Sequence, residues 1–174
     1  MVEMTVARLG LDSATDSYVV ILRERDGRRL LPIWIGKPEA ESILMQMNQV
    51  KRERPLTHDL CKALIVSLGG ALRRVTISRV ESSTYFAELH IEGAAGWIQV
   101  DARPSDSIAI ALRLDAPIFA EANLLTNIDD DDADDSDASA PGFILSVPKG
   151  ELTSAQLQAY LANLQPEDFG KFSP

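Results

Sequence analysis

The ten residues SDSIAIALRL, positions 105–114, constrain this chain more than any other stretch. After its opening turn the run offers apolar side chains in almost every direction, and a helix apolar nearly all round must be buried. A buried helix needs partners on several sides. The rest of the sequence supplies them, mostly as strands. VEMTVARLGL (2–11) and SYVVILRER (17–25) are short and rich in β-branched residues, which favours strands over helices. RDGR at 25–28 carries an Asp-Gly pair suited to a tight hairpin turn, and RRLLPIWIG is the returning strand. Pro32 cannot donate to a ladder, which predicts an edge position or a bulge there.

Two further helices precede the second group of strands. KPEAESILMQMNQV (37–50) places Pro38 at the first helical position and an apolar stripe along Ala40, Ile43, Leu44, Met47 and Val50. Glu39 and Glu41 suit its positive end as dipole partners. The next helix runs from Thr57, is expected to bury Leu60, Cys61, Leu64, Ile65 and Leu68, and stops at Gly69-Gly70. LRRVTISRV, TYFAELHIE and WIQVDA then read as strands, PIFA as a short one, and LTSAQLQAYLANL (152–164) as a closing helix with Leu157, Tyr160, Leu161 and Leu164 on one face. The predicted class is α+β: a mixed, largely antiparallel sheet with helices packed against it in a single compact domain. Residues 1–126 form the core, 127–142 an acidic insert, and 143–174 a strand and helix completing the domain.

The net charge of −9 misleads unless it is divided. Residues 1–126 hold fifteen Lys/Arg and sixteen Asp/Glu, whereas seven aspartates crowd DDDDADDSD at 129–137. The body is nearly neutral, so total charge is a weak argument against an anionic partner. The aspartate run lacks the glycine and terminal glutamate of a calcium-binding loop. A single cysteine, Cys61, excludes an intramolecular disulfide framework and a cysteine metal cluster, and its apolar setting predicts a buried, inert thiol. No apolar run is long enough to span a bilayer and the first residues lack the pattern of a secretory signal, so the expected location is cytoplasmic. No Walker loop, zinc spacing or Gly-x-Ser-x-Gly elbow is present.

One pattern occurs twice. RPLTHD (54–59) and RPSD (103–106) each give Arg-Pro, a hydroxyl residue and an aspartate immediately before an apolar helical run. Thr57 and Ser105 are expected to cap their helices, with His58, Asp59 and Asp106 in the first turns. Free backbone N–H groups and the dipole at a helix start suit a phosphate, and an arginine adds a two-pronged grip. A histidine there exchanges protons near neutral pH, and two aspartates brought together suit Mg²⁺. The plainer reading is that each motif caps a helix and locks a loop with an Arg–Asp pair. Spacing alone leaves both readings open. His90 is expected on a strand surface, and VKRER (50–54) is a basic patch able to follow phosphates or simply to be solvated.

LPIWIGKPEAESI, RPLTHDL and VDARPSDSIAIALR, in this order, resemble the bifunctional nuclease family, whose members act on RNA and DNA. The likeness covers most of the chain to about Leu125 and resumes in the last helix and PEDFG. The resemblance implies a compact α+β fold, a homo-oligomer (a dimer as first expectation), a nucleic-acid partner and nuclease activity. Carried over by position, His58, Asp59, Arg103 and Asp106 are the candidate catalytic groups. Arg54, Thr57, Ser105, Lys51 and Arg52 are the candidate substrate contacts, and Asp59 with Asp106 the candidate metal ligands for a divalent cation such as Mg²⁺. The long aspartate insert departs from the family pattern and opposes phosphate binding wherever it reaches. Two rival functions stand beside nuclease: a non-catalytic regulator that binds a nucleotide or phosphorylated ligand, and a protein-interaction module using the edge strand near Pro32 or the acidic run.

Overall fold

The run 105–114 is a helix at the middle of the helical layer. The computed structural model describes residues 1–12, 17–51 and 53–127. The expectations for Arg52, the aspartate run and the strand and helix of 143–174 lie outside the described residues. Three strands come first: β1 (Val2–Asp12), β2 (Ser17–Glu24) and β3 (Leu30–Ile35). Helices α1 (Lys37–Met47) and α2 (Thr57–Ser67) follow, then strands β4 (Ala71–Glu81), β5 (Thr84–Gly93) and β6 (Gly96–Ala102). Helix α3 (Pro104–Leu114) leads to the short β7 (Ile118–Ala120) and a 3₁₀ turn over Ala122–Leu124. The class is α+β, as the sequence predicts.

Among the described residues, the seven strands form one sheet in the order β3-β2-β1-β7-β4-β5-β6. It is two antiparallel meanders, β1-β2-β3 and β4-β5-β6, joined by β7. That strand pairs antiparallel with β1 and parallel with β4. The parallel pair exists because α3 crosses over from β6 and returns the chain in the direction of β4. Pro32 lies on β3, at an edge of the sheet, where a missing donor costs least. The β2–β3 hairpin closes around the Asp26-Gly27 turn, with Glu24 and Arg29 paired across its mouth.

Helix α3 packs on α1, α2, β4 and β5. Its Ile108, Ala109 and Ala111 are wholly buried and join Leu22, Leu31, Ile33, Ile43, Val75, Ile77 and Ala87 in one core. Small alanines at the contacts let neighbouring elements approach while the isoleucines fill volume. Arg113 is the exception to its apolar character, an arginine only 5% exposed. Asp115 ends the helix in a left-handed conformation, φ 52°.

Two sequence expectations fail on packing. Helix α1 ends at Met47, so Val50 lies outside it; Ser42 and Met45 are buried within it, while Met47 is exposed. Helix α2 buries nothing fully: Cys61 and Ile65 rest half-buried against the core, but Leu60, Leu64 and Leu68 are 53%, 50% and 81% exposed. Its apolar arc is wider than the surface the sheet and α3 offer it. His90 differs too, being half-buried with its Nε2 3.5 Å from Glu88. Among the described residues, no helix is long and apolar enough to cross a membrane.

Candidate functional site

The starts of α1, α2 and α3, the α-helices among the described residues, meet at one place. Each is preceded by extended backbone, at Gly36, Leu56 and Arg103 respectively, and each carries an acid in its first turn: Glu39, Asp59 and Asp106. The caps are not those the hydroxyl residues suggest. Leu56 and Arg103 occupy the cap positions, which moves Thr57 and Ser105 into the first turn, Thr57 exposed and Ser105 buried. Pro104 forces this shift at α3, since proline suits the first helical position and presets its φ. At α2 the cap function passes to Asp59, whose Oδ2 accepts the Leu56 N–H at 2.9 Å.

Across these starts runs a continuous chain of polar contacts. His58 Nε2 lies 3.0 Å from Asp106 Oδ1, joining α2 to α3. Its other ring nitrogen, Nδ1, lies 2.8 Å from Ser42 Oγ on α1. Arg103 donates from Nε to Asp106 Oδ2 at 2.7 Å and from Nη2 to Asp106 Oδ1 at 3.1 Å. The same Nη2 donates to Glu39 Oε1 at 2.8 Å. From the buried side, Arg113 donates from Nε to Asp59 Oδ1 at 2.6 Å and from Nη2 to Ser42 Oγ at 3.1 Å. Its remaining bonds go to the carbonyls of Ala109 and Ser42.

Proton positions in the neutral ring follow from the partners. An ionised Asp106 only accepts, so His58 carries its proton on Nε2. Nδ1 then accepts from the Ser42 hydroxyl, whose oxygen accepts in turn from Arg113. Both ring nitrogens are engaged, so proton exchange through His58 requires it to part from Ser42 or Asp106. Ser42, His58 and Asp106 have the composition of a nucleophilic triad, but Ser42 is 4% exposed. Out of reach of an external substrate, it orients the imidazole instead.

Burial by itself would raise both site aspartates, but their partners overcome it. The Leu56 N–H and the Arg113 guanidinium hold the Asp59 carboxyl below the usual range. Arg103 and His58 do the same for Asp106. A depressed native pKa contributes stability that is complete above the unfolded value, about 3.9, and is lost as pH falls through the native value. Urea midpoints are therefore expected to be insensitive to these two groups between neutral pH and about pH 5, then to fall below about pH 4. Asp106→Asn should flatten part of that acid limb, and an unchanged limb would remove Asp106 as a contributor.

The metal reading does not fit these contacts. All four carboxylate oxygens of Asp59 and Asp106 already face N–H donors. Among the described residues no three His, Cys, Asp or Glu side chains gather to hold an ion. The donor set is a guanidinium–carboxylate network rather than a cation cage. Lys51 and Arg54 are exposed in the connector before α2, and no described bond ties them, Thr57 or Ser105 to the network. Sequence reasoning missed Ser42, Glu39 and Arg113. Two signals were available: a serine amid the buried stripe of α1, and a lone arginine in a helix that must be buried.

The Bifunctional nuclease domain profile matches residues 20–131, which include all three helix starts. This chain belongs to the bifunctional nuclease domain family. An uncharacterized protein of Mycobacterium tuberculosis is 37% identical over 169 residues, 97% of this chain and 98% of its own length. Bifunctional nuclease 1 of Arabidopsis thaliana is 30% identical over 103 residues, 57% of this chain and 32% of that protein. Bifunctional nuclease 1 of japonica rice is 27% identical over 119 residues, 67% of this chain and 36% of that protein. The chain thus spans about a third of these plant relatives and nearly the full length of the mycobacterial one. The stretches shared with the plant relatives, 119 and 103 residues, are close in length to the matched domain, residues 20–131.

Proposed function

We infer that this chain is a nuclease, hydrolysing phosphodiester bonds of RNA, DNA or both where the starts of α2 and α3 meet. The observation that carries the reading is the His58–Asp106 contact at 3.0 Å, between residues 48 apart in a chain of this family. Arg103, its side chain 65% exposed, binds the phosphate. Asp106 and Asp59 orient the attacking water, and His58 exchanges the proton after releasing Ser42. Lys51, Arg52 and Arg54 precede α2 in sequence and draw flanking phosphates. Thr57 offers a hydroxyl at the exposed first turn, and Ser105 contributes through the backbone at the start of α3. The cytoplasmic location belongs to the same reading.

The test is hydrolysis of labelled RNA and single-stranded DNA by purified protein, with His58→Ala and Asp106→Asn beside the parent. Loss in both variants is expected; activity that survives both substitutions removes this site. Run with and without Mg²⁺, the assay also reads whether a cation takes part. A second reading, a non-catalytic module binding a nucleotide or phosphorylated ligand, is favoured by one observation: both ring nitrogens of His58 and all four carboxylate oxygens of the two aspartates already have a partner. Mononucleotide binding without turnover would select it.

A homodimer is part of the proposal. Leu60 and Leu64 of α2 and Leu68 at its C-terminal cap recur every fourth residue, on the flank turned away from His58. Ile98 and Val100 on the edge strand β6 pair with Ile91 and Leu89 and so share the helix-covered face of the sheet, yet are 51% and 39% exposed. A second copy covering this surface would account for an apolar arc that the described residues leave half open. Light scattering should give twice the chain mass, and Leu64→Asp with Leu68→Asp should halve it. A monomeric parent overturns the dimer.

A further inference from the structure

Arg103 is the exposed cation of the site, and its five N–H groups are not equally free. Its guanidinium presents two edges able to grip an oxyanion with parallel bonds: Nε with Nη2, and Nη2 with Nη1. Asp106 occupies the first, with Oδ2 on Nε and Oδ1 on Nη2. Glu39 takes the other N–H of Nη2, at 2.8 Å, and so stands on the second edge. The glutamate reaches there from α1, 64 residues away in sequence, and its side chain is only 16% exposed. No two-pronged edge of Arg103 remains open while Glu39 is in place.

Charge points the same way. Two guanidinium groups, Arg103 and Arg113, face three carboxylates, Glu39, Asp59 and Asp106, leaving the network formally at −1 with His58 neutral. A phosphate approaching this site meets a net repulsion that the glutamate supplies. We propose that Glu39 is an internal competitor for the anion seat of Arg103, and that a backbone phosphate of the nucleic acid binds by displacing it. The proposal rests on the reading of Arg103 as the phosphate contact. Glu39 then sets affinity: only a ligand with enough further contacts, such as a strand tracking several cations, pushes it aside. A lone phosphate does not. Asp106 is not equivalent, because His58 also holds it and its bidentate grip aims the guanidinium.

The test uses fluorescence anisotropy with a labelled, hydrolysis-resistant phosphorothioate oligothymidylate at low salt. Glu39→Gln is expected to bind roughly fivefold more tightly than the parent, the scale of one exposed ion pair. Glu41→Gln removes the same charge two positions along α1 and should bind as the parent does. The gain should vanish when Glu39→Gln is combined with Arg103→Ala. Equal or weaker binding by Glu39→Gln overturns the inference, as does an equal gain from Glu41→Gln, which would reduce the effect to general charge. If neither parent nor Glu39→Gln binds the oligonucleotide, the nuclease reading fails instead. Thermal unfolding of each variant establishes that the binding compared is that of folded protein.

Discussion

Arg113→Met is expected to cost about 3 kcal/mol of stability, at the low end for breaking a buried ion pair because Asp59 keeps some contact with water. For a chain of this size that lowers the melting midpoint by roughly 6–12 °C. The loss has several parts. Asp59 keeps its Leu56 N–H bond but loses its counter-charge, and the hydroxyl and carbonyl of Ser42 lose a donor in a buried setting. Arg113→Lys should fall between, since an ammonium keeps the charge but cannot span Asp59, Ser42 and Ala109 together. Adding Asp59→Leu to Arg113→Met should recover part of the loss, and a double-mutant cycle measures the coupling. A midpoint unchanged in Arg113→Met would mean that the network contributes nothing to the fold.

Arg103→Ala should show the opposite profile. Its side chain is largely exposed, so stability should change by less than about 1 kcal/mol. Catalysis should suffer more. Losing a preorganised cation at a phosphoryl group costs on the order of a hundredfold in kcat/KM, or about 2.7 kcal/mol. Arg103→Lys should recover little, because a point charge cannot keep both Asp106 oxygens and a phosphate on one rigid fork. Steady-state hydrolysis and thermal melts on the same samples check both halves. Full activity in Arg103→Ala would take the phosphate seat away from this residue and undercut the role given to Glu39.

These two arginines also show how far the residues could be read in order. Arg103 was legible because Arg-Pro-Ser-Asp is a local pattern: proline fixes the helix start, and an aspartate three residues on falls within reach of the guanidinium. Arg113 was not. Its helix declared it buried, and a buried arginine demands an acid, but nothing in the spacing names Asp59, 54 residues away, as that acid. Thr57 and Ser105 were misplaced by one and two positions for a local reason as well, since each motif has a residue ahead of the hydroxyl already in the cap conformation. The α2 leucines misled differently. Helical periodicity reveals that a face is apolar, not whether anything in the same chain covers it.

What the sequence determined on its own is everything set by neighbours within about one turn or one strand pair: the α+β class, the strand hairpin at Asp26-Gly27, the helix starts to within two residues and the necessity of burying α3. Steric and hydrogen-bonding preferences at that range are decided by the residues themselves. What only tertiary structure decided is who meets whom across 48 to 71 residues: His58 with Asp106, Glu39 with Arg103, Ser42 with Arg113. Those meetings depend on three helix axes being brought together over one sheet. Closure of long loops costs nearly the same for many partners, so packing, not spacing, selects among them.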